Sequence, residues 1–211
     1  MTWEEYKKTV TEKAKEVFGA VAQSKVKEVK DKTKLMVEFA RYGENYFSGD
    51  NTVRMMVVGR ATGVFDKNED NRPNPGKDKL AVTEYREGCC LINESRIEEC
   101  FNDYENDHLD WIHNENKEKK DRYEDSKPFF GLIKKAYLKQ TGFGDGTEWY
   151  KNICYTNVCK IISTCGGNPS CNLKGLRALQ MESMLKILIA EIDYYRPTHI
   201  LILDSEEVKY Y

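Results

Sequence analysis

No stretch of this chain approaches the run of about 20 apolar residues that a membrane-spanning helix needs. Its opening, Met1-Thr2-Trp3-Glu4-Glu5-Tyr6-Lys7-Lys8, also lacks the apolar core of an export signal. Together these absences predict a cytoplasmic protein with no membrane partner. There is no C-x-x-C pair: Cys89 and Cys90 are adjacent, and Cys154, Cys159, Cys165 and Cys171 are more widely spaced. An odd total of 7 cysteines without an export signal predicts reduced thiols rather than a disulfide framework, zinc site or iron–sulfur site. Neither a G-x-x-x-x-G-K-S/T loop nor a G-x-G-x-x-G following a strand is present, so ATPase and dinucleotide-binding functions have no support. No metal and no cofactor are expected. Internal repeats and low-complexity tracts are lacking too. The net charge of −2 decides nothing about nucleic acid, because binding requires a basic patch rather than a basic total.

What is present suits a folded domain. A chain of 211 residues, 40% hydrophobic and 32% charged, fits one α/β core with an appended helical segment. Lysines crowd the start (Lys7, Lys8, Lys13, Lys15, Lys25, Lys27, Lys30, Lys32, Lys34), but Glu4, Glu5, Glu12, Glu16, Glu28 and Asp31 are interleaved with them. That mixture reads as a solvated helix face.

Thr2 and Glu5 have capping-box spacing, and Trp3, Tyr6, Val10, Ala14, Val17, Phe18 and Val21 follow at helical intervals. The same pattern through Val26, Val29, Leu35, Met36 and Phe39, with a stop at Gly43, predicts a second helix or one long bent one. Val53 to Val58, closed by Gly59, reads as a core strand, and Asp66 to Lys79, with Pro73, Pro75 and Gly76, as a loop. Residues 80 to 125 read as an insertion with one or two helices. Pro128 opens a helix that ends at Thr141-Gly142. Ile153 to Lys160 is the next predicted strand, Leu176 to Tyr195 the next helix, and His199 to Leu203 the last strand. Alternation of this kind is the signature of a parallel sheet flanked by helices.

Three apolar runs end in small or polar residues: Met55-Met56-Val57-Val58-Gly59-Arg60-Ala61-Thr62-Gly63, Ile153-Cys154-Tyr155-Thr156-Asn157-Val158, and Ile200-Leu201-Ile202-Leu203-Asp204 after Arg196-Pro197. Buried parallel strands end this way where they open onto a crevice, so a site is expected at these ends. Together with a helix starting at Phe129-Phe130, their order resembles the uracil-DNA glycosylase-like superfamily over about residues 53 to 204. The resemblance implies a three-layer α/β/α fold with a small parallel sheet, preceded by N-terminal helices. The corresponding division is a helical extension at 1–48 and an α/β domain at 49–211, with an acidic insertion at about 93–126. It further implies DNA as partner, a base flipped into the strand ends, and hydrolysis of its N-glycosidic bond.

Within that resemblance Asn157 matches the asparagine that reads the base edge, for which an amide is suited because it both donates and accepts. By itself, Asn157 fits equally well as an amide bonding backbone at a strand end. Gly59 and Ala61 would allow close backbone approach, Arg60 would pair a phosphate or cover the crevice, and Phe65 would stack on a base or cover the core. Members of the superfamily commonly carry an acid or amide two residues after the strand-ending glycine, where this chain has Ala61. Asp66 is the nearest acid able to position water, and otherwise a turn residue. Of the family's His-Pro loop nothing is seen: His108 and His113 lie in the insertion and His199 begins a strand. The alternatives are a non-catalytic module binding nucleic acid, nucleotide or a partner on the same fold, and a flavodoxin-like domain with another ligand at the strand ends. An uncovered Ile200–Leu203 edge would also permit a homodimer.

Overall fold

In the computed structural model the described residues are 1–23, 35–49, 52–59, 83–86, 89–92, 95–97, 109–113, 128–144, 148–163 and 174–203. They begin with helix α1, Trp3–Gln23, whose capping box forms as the sequence predicts. The Thr2 N–H donates to Glu5 Oε2 at 2.7 Å and the Glu5 N–H to Thr2 Oγ1 at 3.2 Å, so each residue serves the other's backbone. Tyr6, Val10, Ala14, Val17, Phe18 and Val21 form its buried stripe.

The chain separates into two units, each drawn from three stretches of sequence. One takes Met1–Phe39, Arg60–Asn102 and Asn157–Tyr194. There α1 lies against β5, Cys89–Ile92, which pairs antiparallel with β4, Thr83–Arg86. Strand β1, Leu35–Val37, pairs antiparallel with β7, Ile161–Ser163. Helix α3, Lys174–Tyr195, buries Leu176, Gln180, Met184, Ile187, Ala190 and Glu191, a stripe at helical spacing. Ser183 of α3 donates to Glu16 of α1, and Tyr194 stacks on Tyr6 with centroids 4.8 Å apart.

The other unit takes Ala40–Gly59, Asp103–Thr156 and Tyr195–Tyr211. It contains a four-stranded, mostly parallel open sheet in the order β2-β6-β3-β8. Strand β2 is Arg41–Tyr42, β3 Met55–Gly59, β6 Ile153–Asn157 and β8 His199–Leu203. Every residue of β3 and β6 is buried, as the continuous apolar runs required of inner strands. β3 and β8 run parallel, residue for residue from Met55 opposite His199 to Gly59 opposite Leu203. Helix α2, Pro128–Thr141, buries Phe130, Ile133 and Tyr137 and ends where Gly142 takes φ +74°. The 3-10 turn Leu109–Ile112 meets a second one, Trp149–Asn152, and His113 stacks on Tyr150.

Several expectations need correction. Leu35–Val37 is a strand, not the continuation of a helix, because pairing with Ile161–Ser163 overrides a weak helical periodicity. Gly43 is no helix stop: it follows β2, and its N–H donates to the Ile153 carbonyl at 2.9 Å. The predicted strand Ile153–Lys160 ends at Asn157, and the chain starts a different sheet at Ile161. β2 runs antiparallel to β6, so the sheet is not wholly parallel. Within the predicted helical insertion, the described residues include helical residues 95–97 and a 3-10 turn at Leu109–Ile112, and also the β4/β5 pair, which was not expected. The predicted loop Asp66–Lys79 lies outside the described residues. No helix among the described residues is long and apolar enough to cross a membrane.

Candidate functional site

The end of β6 is where the chain changes company: Thr156 closes a stretch of one unit and Asn157 opens a stretch of the other. Asn157 is 3% exposed. Burying an amide so completely costs free energy unless its polar atoms are engaged. Its Nδ2 donates to Glu38 Oε2 at 3.5 Å, a long bond. Glu38 follows β1 directly, and its own N–H donates to the Lys160 carbonyl at 2.8 Å. The pairing of β1 with β7 therefore continues to the segment that carries Asn157.

Behind Asn157 the backbone is held by buried polar groups. Lys160 Nζ lies 2.5 Å from Glu191 Oε2, with both side chains 0% exposed. An ion pair so deeply buried persists only because each charge compensates the other's lost hydration. Gln180 of α3 brackets Ile161 from both sides: its Oε1 accepts from the Ile161 N–H at 2.9 Å, and its Nε2 donates to the Ile161 carbonyl at 2.9 Å. A side-chain amide thus takes the place of a neighbouring strand. The consequence is a strand terminus fixed in position.

Gly59 ends β3, buried and paired in register with Leu203. β3 and β6 are neighbours in the sheet. Arg60, Ala61, Phe65 and Asp66 lie outside the described residues. His199 sits at the opposite end of the β3/β8 pair from Gly59. Its Nε2 is 2.8 Å from Gln140 Nε2 and its Nδ1 3.0 Å from Thr198 Oγ1. Thr198 Oγ1 in turn accepts from the Arg54 N–H and donates to the Arg54 carbonyl. The imidazole thus bridges the Gln140 side-chain amide and the Thr198 hydroxyl. The histidine fastens α2 to the start of β8.

Cys154 and Cys159 are buried and not in disulfides. Among the described residues no group of three or more His, Cys, Asp or Glu side chains is placed to hold a metal ion. Burial pushes the Tyr46 hydroxyl well above the usual phenol range, with Cys154 adding to the shift. That hydroxyl donates to the Tyr195 carbonyl at 3.2 Å and is a structural group. Glu38 escaped sequence reasoning because it stood in a segment read as helix, and no spacing rule links it to Asn157. Comparison with known proteins gives no match: no family model, no curated protein and no solved structure is similar to this chain.

Proposed function

We propose that this chain is a uracil-DNA glycosylase-like protein that reads a flipped base in DNA and hydrolyses its N-glycosidic bond. The observation that carries the reading is Asn157: a buried amide at the end of an inner strand of a mostly parallel sheet. Strand ends of such sheets are where ligands bind, and an amide suits a pyrimidine edge. In this proposal Asn157 contacts the base, Gly59 and Ala61 leave room for it, Phe65 stacks on it, Arg60 pairs a phosphate and Asp66 positions water. The water oxygen bonds to the sugar's anomeric carbon, and the glycosidic bond breaks with its electron pair leaving on the base. Asp66 takes the proton lost by the water.

Ala61, where the superfamily commonly carries an acid or amide, favours a second reading, in which the same strand ends bind nucleic acid without cutting it. Fluorescence anisotropy with a single-stranded oligonucleotide carrying one uracil, combined with chromatography of any freed base, separates the two. Affinity with base release supports the glycosylase. Affinity that weakens with salt, without release, assigns the binding module. Absence of both sinks both readings.

A further inference from the structure

We propose that the corner where α2 ends and β3 and β8 begin binds single-stranded nucleic acid, with lysine and arginine side chains on its phosphates and Phe143 under one of its bases. Hydrogen bonds bring the three elements together. Gln140 Nε2, in the last turn of α2, lies 2.8 Å from His199 Nε2 at the start of β8, and the Thr198 N–H donates to the Arg54 carbonyl at 2.8 Å. All of these residues belong to one unit. The stretches 52–59, 128–144 and 195–203 contain Arg54, Lys134, Lys135, Lys139 and Arg196 but no aspartate or glutamate. Lys135, Lys139 and Arg196 are exposed and Arg54 is half-buried, and none of these four has an acidic partner among the described residues. Positive charge left unbalanced in this way is complementary to a phosphate backbone.

Two features mark these side chains as more than surface charge. Arg196 takes φ +46°, the left-handed conformation at a helix end for which glycine or asparagine is the ordinary choice. An arginine there is strained, and strain of this kind clusters at sites of function. Phe143 follows Gly142, where an apolar residue commonly covers the helix end. Its ring does meet Tyr137, with centroids 6.5 Å apart, and its N–H donates to Thr141 Oγ1 at 3.3 Å, yet it remains 55% exposed. A ring held in place with its surface in solvent is a platform for stacking. Guanidinium groups suit phosphate oxygens and an aromatic ring accepts any base, so together they select nucleic acid over other polyanions. Single strands are favoured because the bases of a duplex already stack on one another. The corner lies at the opposite end of the β3/β8 pair from Gly59, so the proposal is independent of base reading by Asn157.

The test is fluorescence anisotropy with an end-labelled oligothymidylate, which contains no uracil, over a series of salt concentrations. Unsubstituted protein, Arg196→Gly, the double variant Lys135→Gln with Lys139→Gln, Phe143→Leu and Asn157→Ala are compared, with thermal unfolding as a check on folding. Because glycine tolerates the left-handed backbone, Arg196→Gly is expected to unfold at no lower temperature than the unsubstituted protein. It is nevertheless expected to bind about fivefold more weakly at about 0.1 M salt, with a salt slope shallower by about 0.7, the value for one phosphate contact on a single strand. The lysine double variant should lose about twice that slope. Phe143→Leu keeps an apolar contact for Tyr137 but loses the aromatic face, and should bind about tenfold more weakly with an unchanged slope. Asn157→Ala should bind as the unsubstituted protein does. No binding by the unsubstituted protein, or undiminished binding by Arg196→Gly and the lysine double variant, overturns the proposal. Binding weakened in those variants but not in Phe143→Leu makes the corner a general polyanion surface, for heparin or an anionic vesicle as much as for nucleic acid, and overturns the assigned ligand. Loss in Asn157→Ala alone moves the strand to the other end of the sheet and overturns it as well.

Discussion

Gly43 has no room for a side chain. A Cβ added there would stand 2.3 Å from the Lys151 carbonyl carbon and from the Tyr150 carbonyl oxygen, both backbone atoms that no rotamer change can move. Gly43→Ala is expected to cost about 3 kcal/mol in urea unfolding, the upper range for forced overpacking. The buried pair beneath the candidate site gives a sharper expectation. Glu191→Ala leaves Lys160 charged in a water-free interior and is predicted to cost about 3 to 5 kcal/mol, whereas replacing both partners together, Lys160→Met with Glu191→Leu, recovers most of the loss. A double variant as unstable as the single one would show that the pair does more than compensate its own charges. None of this could be read from the sequence. Lys160 is one of 33 basic residues, and nothing local distinguishes a lysine that ends up inside from those that do not. Asn157 was legible because a polar residue at the end of an apolar run is itself a local signal; Glu38 was not, because its importance depends on a partner 119 positions away.

At the scale of elements, what is encoded locally is what could be read. Helix α1 begins at its capping box because two residues three apart satisfy each other's backbone N–H groups. Thr2→Ala is expected to cost about 1 kcal/mol, seen in thermal unfolding. The Thr2 backbone N–H holds the Glu5 carboxyl below its ordinary range, helped by the Thr2 hydroxyl and opposed by slight desolvation. Because the folded value is lowered, the capping contribution is complete above the ordinary glutamate range and fades as pH falls through the lowered one. A side-chain carboxyl titration by NMR should place Glu5 below the ordinary glutamate range, and Thr2→Ala, which keeps the backbone N–H but not the hydroxyl, should bring it back only part of the way. Helix α2 and strand β8 were read for similar reasons: Gly142 stops the first, and β8 spans His199–Leu203 as the apolar run predicts. Strand β1 was misread because three residues carry no periodicity of their own. Their conformation is set by Ile161–Ser163, far along the chain.

Across the whole molecule, α1, β3, α2, β6, α3 and β8 were legible in order, while β1, β2, β4, β5 and β7 were not. An alternating strand and helix pattern implies parallel neighbours, yet β2 joins the sheet antiparallel and β1 and β7 form a separate pair. The edge of the sheet carries a further consequence. Among the described residues β8 is the last strand in the sheet order, and Ile200 and Ile202 are 44% and 56% exposed on one of its faces. No charge or proline interrupts His199–Leu203, the usual protection of an edge against pairing with a second chain. Self-association through β8 is therefore predicted, as a concentration-dependent rise in sedimentation coefficient that Ile202→Lys abolishes. A strict monomer at high concentration contradicts it.

The proposed base recognition and hydrolysis are tested together by one experiment. Oligonucleotides carrying a single uracil, single- and double-stranded, are incubated with the folded protein and with Asn157→Ala, and abasic sites are revealed by alkaline strand cleavage. Cleavage at the uracil position by the unsubstituted protein, lost in the variant, is the predicted result. Intact strands with well-folded protein, or equal cleavage by Asn157→Ala, would contradict it.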